Sequence, residues 1–324
     1  MLQSLDKNSK DKLLAELQEF YIPYRNNLGL KKDTTFGCEI EFKIRNYSLD
    51  NCPSYSNEYD YLHDFLKSVN YNYTWDVVPE LDDHLEVISP ILKDEIKDWK
   101  QLEEILNFLI SKGAYYSGVC GAHVHVGKQV LGTDINSLKR LLKLWMIYEE
   151  IIIKFTNGIN YYERNNFNIA SDRAAFSIKW FLKRLEEGKI TEFKSSLYKK
   201  FLTINFCTSN IYDFLQESDD KEVKNTIEFR CANGTLNKVI WQNLVNFYVK
   251  LMASCASPNF DLELLNYREN KGIDIKYYDD MAFELCDLVF DNDFDRYCFL
   301  RQYYKDFDEP NIKNKNLESK PFWK

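Results

Sequence analysis

Two carboxylates placed two residues apart, in Gly37-Cys38-Glu39-Ile40-Glu41-Phe42, are the first feature of this 324-residue chain with chemical potential. Around them, Thr34 to Arg45 alternates. Phe36, Cys38, Ile40, Phe42 and Ile44 fall on one side, and Thr35, Gly37, Glu39, Glu41 and Lys43 on the other, the period of a strand with an apolar and a charged face. Glu39 and Glu41 therefore point the same way. On an open face they are ordinary polar surface. Lining a cleft, they repel each other unless a cation lies between them, which makes the pair a natural site for a hard metal ion.

Three further groupings share this character. In Cys120-Gly121-Ala122-His123-Val124-His125-Val126-Gly127, two imidazoles project from one face of a short strand, bracketed by glycines that allow close approach of a ligand to the backbone. They are either satisfied, half-buried histidines or ligands, and they are half of the chain's four histidines. Asn225-Thr226-Ile227-Glu228-Phe229-Arg230 sets Glu228 and Arg230 on one strand face. That is a simple ion pair, or a metal ligand beside a guanidinium fork that grips a phosphoryl oxygen. Leu85-Glu86-Val87-Ile88-Ser89-Pro90 puts one carboxylate in an apolar strand, where it needs a cation or a donor beside it.

The elements that must position these groups follow from periodicity. Helices are expected over Asp6 to Tyr21, Asp60 to Val69, Asp98 to Ser111 (closed by Gly113), Asn136 to Phe155, Ala174 to Glu187 and Asn237 to Ser254, with a mostly helical final stretch. Strands are expected over Thr34 to Arg45, Tyr71 to Val78, His84 to Ile88, Ala122 to Gly127, Lys200 to Cys207 and Lys224 to Cys231. Tyr71 to Val78 and His84 to Ile88 form a hairpin across the acidic turn at Asp82 and Asp83. Thr156 to Asp172, polar and rich in Asn and Tyr, has the composition of a long functional loop. Without repeats or linkers, the simplest organisation is one α+β domain over 1–324. Its catalytic sheet spans about 34–236 and its helical C-terminal portion about 237–324.

Bulk properties exclude some partners. A formal charge of -8 gives no basic stripe for a phosphate backbone, so nucleic acid is not expected as the main ligand. No apolar stretch has the length and lack of charge of a membrane span: Leu141 to Phe155 is interrupted by Lys143, Glu149, Glu150 and Lys154. The first residues are polar and lack a signal-peptide core. The eight cysteines are scattered without a CxxC pair, as reduced thiols of a cytoplasmic protein are.

In their order along the chain, Gly-x-Glu-x-Glu, Glu-Val-x-Ser-Pro, Cys-Gly-x-His-Val-His-Val-Gly and Ile-Glu-Phe-Arg, with Asn233-Gly234-Thr235 just after, the motifs resemble the bacterial and phage amidoligase family. That family is distantly related to glutamine synthetase and glutamate–cysteine ligase. The resemblance runs from about Thr35 to Asn246. It implies a curved, mainly antiparallel sheet of the glutamine-synthetase type covered by helices, holding Mg²⁺ (or Mn²⁺) between ATP and a substrate carboxylate. By the same match Glu39, Glu41, Glu86, Glu228 and His123 are the expected metal ligands, and His125 lies against the phosphates or an adjacent metal position. The roles of the two histidines are interchangeable at this level. Arg230 is expected on the transferring phosphoryl group. Arg230, His125 and Glu41 are the catalytic candidates, and Asn205, Asn233, Arg164 and Arg173 are further ATP or substrate contacts.

The implied activity is an ADP-forming carboxylate–amine ligase, joining a small-molecule or peptide carboxylate to an amine co-substrate. A metal-dependent amide or ester hydrolase is the rival enzyme class, since His-x-His with carboxylates also serves zinc. It is disfavoured because His63 and His84 both lie upstream and supply no further ligand on a later strand. A non-catalytic nucleotide-binding module of the same fold is the third reading. The acid and the amine are not legible in the sequence.

Overall fold

The computed structural model describes residues 5–44, 75–79, 85–116, 120–158, 173–188, 202–207, 225–272, 274 and 277–304. The expected helix at Asp60 to Val69, the turn at Asp82 and Asp83, the segment from 159 to 172 with Arg164, and the histidines His63 and His84 lie outside them. In chain order the elements are α1 (Lys7–Glu19), β1 (Thr35–Ile44), β2 (Asp76–Pro79), β3 (Leu85–Ile88), β4 (Leu92–Lys93), α2 (Ile96–Ser111), β5 (Ala114–Tyr115) and β6 (Gly121–Gly127). A 3₁₀ turn at Lys128–Val130 leads to α3 (Ile135–Asn157), α4 (Ala174–Glu186), β7 (Ile204–Phe206), β8 (Thr226–Asn233), α5 (Lys238–Ala256), α6 (Leu262–Lys271), α7 (Tyr278–Val289) and α8 (Asp293–Tyr303).

The chain is α+β. Its sheet runs β2-β3-β1-β6-β8-β7, with β4 and β5 also pairing to β1, and every pairing among the described residues is antiparallel. β1, the first strand in sequence, thus lies inside the sheet, and its alternation is met by the structure. Phe36, Cys38, Ile40 and Phe42 are buried on the face covered by helices. From β6 and β8 that face continues with Ala122, Val124, Val126, Ile227 and Phe229, against which α3 and α5 pack. Phe229 stacks on Tyr248 of α5 at 4.2 Å and meets Trp145 of α3 at 5.3 Å.

Several boundaries differ from the periodic expectation for local reasons. α3 continues through Thr156 and Asn157, which were expected to begin a loop, because both side chains reach the Cys231 carbonyl, at 3.2 and 2.8 Å. That carbonyl needs them. Ala122 opposes Ala232 and Val124 opposes Phe229, so Arg230 and Cys231 both face His123 in a β-bulge that disrupts the ladder. β7 is only three residues long, and β4 and β5, two residues each, are too short for periodicity to reveal.

The C-terminal helices share one apolar core with the sheet. Polar ties reinforce the union. Asp295, 2% exposed, accepts from Arg25 at 3.0 Å, Asn246 at 2.9 Å, Lys250 at 2.6 Å and Asn292 at 2.8 Å. Nearby, Gln242 of α5 bonds the backbone N–H and C=O of Arg25 at 2.8 and 2.7 Å. No helix among the described residues is long and apolar enough to cross a membrane. The seven described cysteines are all free thiols.

Removing the Asp295 carboxylate takes the acidic partner from Arg25 and leaves Lys250 with the exposed Asp291, at 3.6 Å. Asp295→Ala should therefore destabilise the fold by about 3 kcal/mol or more in chemical denaturation, the range for breaking one partner of a buried pair. Asp295→Asn, which keeps an acceptor, should lose less.

Candidate active site

Register brings the chemical groups together. Glu41 of β1 faces Glu86 of β3, Glu39 faces His123 of β6, His125 faces Glu228 of β8, and Glu228 faces Asn205 of β7. With Arg230 these residues share the sheet face opposite the helices. Glu39 bridges both histidines, its carboxylate oxygens 3.2 Å from His123 Nδ1 and 2.8 Å from His125 Nε2. Glu228 accepts from Arg230 Nη1 and from Asn205 Nδ2, the latter at 2.8 Å. Glu41 accepts the Gly121 N–H at 2.5 Å and lies 3.5 Å from His123 Nε2. Glu86, expected to need a partner, has His123 Nδ1 at 3.9 Å.

His123 is the common member of two potential ligand groups, Glu39/His123/Glu228 and Glu41/Glu86/His123. In each, one ligand atom per residue lies within 4.8 Å of the others. All the donors are oxygen or imidazole nitrogen. Burial is strong throughout: Glu41, Glu86, His123, Glu228 and Arg230 are each under 9% exposed. Asn233, on the last residue of β8, is buried beside Gly121. Arg230 Nε, Asn205 Oδ1 and Asn233 Oδ1 are buried with no hydrogen-bond partner among the described residues. Arg173 stands just before α4, where it pairs with Glu150 at 2.5 Å. Cys207, which no motif drew attention to, is at the edge of the cluster, its Sγ 3.9 Å from His125 Nδ1 and 4.0 Å from Glu228.

Several motif residues act as frame. Cys38 donates its N–H to Ser89 Oγ at 2.8 Å and accepts the Ser89 N–H at 2.9 Å, so Ser89 carries the pairing with β1 up to Pro90, which has no N–H to give. A Cβ on Gly121 would stand 2.5 Å from His123 Nε2, and one on Gly234 would stand 2.7 Å from the Cys120 Cβ. Thr235 accepts the Asn237 N–H through its hydroxyl and the Trp241 indole N–H through its carbonyl, fixing the entry to α5.

The electrostatics follow from this crowding. Burial opposes charge on Glu39, but hydrogen bonds from His123 and His125 outweigh it and hold the carboxyl well below its usual range. Burial likewise opposes charge on Glu228, and Arg230 and the two histidines prevail, keeping it low. For His125, burial favours the neutral ring, yet Cys207 and Glu39 push its value up to about 10. Glu39 and Glu228 are therefore held as carboxylates by the groups that face them.

More than half of the chain, residues 53–252, matches the family model described as "Putative amidoligase enzyme". The chain belongs to that amidoligase family, and its function is of ligase type. Glu86, His123, His125, Asn205, Glu228, Arg230 and Asn233 lie within the match. Glu39 and Glu41 precede it and are joined to the rest by strand register. No curated protein matches the chain.

Two outcomes follow. Because the folded value of His125 exceeds its ordinary 6.5, its stabilisation is complete below about pH 6.5 and drains away as the pH climbs toward 10. Glu39, whose folded value is depressed, contributes above about pH 4.5 and loses that contribution in acid. Urea unfolding in EDTA should thus show greatest stability between those limits, and His125→Asn should flatten the alkaline decline. Gly121→Ala, by driving His123 from its place, should cost about 1–3 kcal/mol in the same assay.

Proposed function

We propose that this protein is an ATP- and Mg²⁺-dependent carboxylate–amine ligase of the glutamine-synthetase-like type, working through an acyl phosphate and releasing ADP and phosphate. The observation that carries this reading is the gathering of Glu39, Glu41, Glu86, Glu228, His123, His125 and Arg230 on one sheet face, where the four glutamates and His123 form two ligand groups that share the histidine. Four carboxylates against one guanidinium and one imidazolium leave surplus negative charge when all the carboxyls are ionised, which favours cations. An oxygen-rich donor set without thiolate in either group suits Mg²⁺ or Mn²⁺.

In this reading Glu39, Glu228 and His123 hold one cation and Glu41, Glu86 and His123 border a second. When bound, such ions neutralise the phosphate oxygens and polarise the acceptor carboxylate. The chain's own groups do the remaining work. Arg230 has one nitrogen on Glu228 and its Nε without a partner among the described residues, so the guanidinium is both anchored and able to donate to a phosphoryl oxygen. His125, cationic beside Glu39, adds positive charge next to the same region. The amides of Asn205 and Asn233 each have a buried acceptor oxygen without a partner among the described residues, fitted to a donor on nucleotide or substrate.

A substrate carboxylate oxygen attacks the γ-phosphorus as the bond to the β-phosphate oxygen breaks, giving acyl phosphate and ADP. A neutral amine then attacks the carbonyl carbon, phosphate leaves, and the nitrogen loses a proton to yield the amide. Substrates of this kind, a polar small molecule or peptide with an amine partner, act in solution, consistent with a cytoplasmic enzyme.

The test is ADP release with Mg·ATP across paired carboxylates and amines, with mass spectrometry of the product. Glu41→Gln and Arg230→Ala should each reduce turnover by about 10²-fold or more. Near-wild-type activity in both, AMP in place of ADP, or ATP-independent cleavage supported by Zn²⁺ would overturn the assignment.

A further inference from the structure

Glu149 is a buried carboxylate outside the acid cluster, on α3, and it is 3% exposed. Every hydrogen-bond partner it has among the described residues is a donor. The Thr203 hydroxyl, Trp145 Nε1 at 3.2 Å, and the N–H groups of Ala174 and Ala175 at 2.7 and 3.0 Å all point at it. Burial pushes its carboxyl upward, and these donors work in the other direction. Ala174 and Ala175 are the first two residues of α4, so the carboxylate also seats the helix N-terminus, where negative charge is favoured. Beside it, Glu150 holds Arg173, and the two adjacent glutamates together fix the beginning of α4 on α3.

The other side of this node faces the cluster. Thr203 is fully buried immediately before β7, and its carbonyl accepts the Arg230 N–H at 2.9 Å. Two residues on, Asn205 pairs with Glu228 in register and donates to its carboxylate at 2.8 Å. A three-residue strand at the end of the sheet order has little intrinsic persistence. Something must fix its origin, and the Thr203 hydroxyl, tied to the buried Glu149 carboxyl, is a contact placed to do so.

We infer that Glu149 is a positioning residue: through the Thr203 hydroxyl it sets the start of β7, and so the place at which Asn205 holds Glu228 beside Arg230. The inference rests on the reading of Glu228 as a cation ligand only for its consequence in metal binding; the effect on β7 is independent of it.

The test combines Mn²⁺ binding by electron paramagnetic resonance with hydrogen exchange over 202–207, on Thr203→Val, Thr203→Ser and Glu149→Gln. Valine keeps the shape of threonine and loses the hydroxyl, whereas serine keeps the hydroxyl and loses the methyl. Thr203→Val and Glu149→Gln should weaken Mn²⁺ binding about tenfold, the lower end of the range for groups that orient a ligand. Both should also speed exchange over 202–207 about tenfold, while Thr203→Ser stays close to wild type. A wild-type-like Thr203→Val with an impaired Thr203→Ser would assign the site to packing alone and overturn the inference. If the wild type binds no Mn²⁺, the cation reading fails by itself, and the exchange data still decide: unchanged exchange in Thr203→Val overturns the positioning role, and faster exchange supports it.

Discussion

Glu39 lies between two imidazoles and Glu228 between a guanidinium and an amide, and these contacts hold four carboxylates on a single face of one sheet. Like charges at such spacing in a partly desolvated place are costly unless each is answered by a donor or a cation. The rest of the architecture serves that requirement. Packing by α3 and α5 covers the opposite face, and the bulge at Arg230 and Cys231 interrupts β8 where it passes His123. The carbonyl this leaves outside the ladder is taken up by the last turn of α3, which explains why that helix runs into residues whose polarity suggests a loop.

The chain and the fold agree most closely where a strand has one face in the core and one in the cluster. β1, β3, β6 and β8 were legible because period-two alternation survives burial of the polar face: Glu41, Glu86, His123 and Glu228 are all buried yet keep to their side. Face-sharing within a strand follows from spacing alone. What spacing cannot supply is which strands lie together, since Glu39 meets His123 only because a strand 84 residues later in the chain pairs beside it. The order of strands is a long-range property; the resemblance to a family grouped these residues as ligands of one site without giving that order.

Other features left no local trace. Cys207 follows β7 as one thiol among eight and becomes notable only through its distance to His125. Glu149 reads in sequence as an interruption of an apolar helix; its value lies in donors from α4 and from beside β7 that are 25 and 54 residues distant. Arg173 was legible as a cation near a loop, and the structure gives it a carboxylate partner on α3. Ser89, Gly121 and Gly234 show the converse: motif residues whose roles are strand continuity and clearance, where no chemistry is asked of them.

The placement of β1 has a kinetic consequence. The strand made first is enclosed by partners made later, and Arg25, just before it, is tied to Asp295 across 270 residues of chain. Contacts of such sequence separation give a high contact order, and the loops they close lose entropy before the contacts reward them. During synthesis β1 must therefore wait, unpaired with β6 and its acidic side without His123, until residues 121–127 have emerged, and the Arg25 tie must wait for Asp295. The acidic residues that alternate along it then act as gatekeepers, keeping a waiting hydrophobic strand soluble before they have any other part to play.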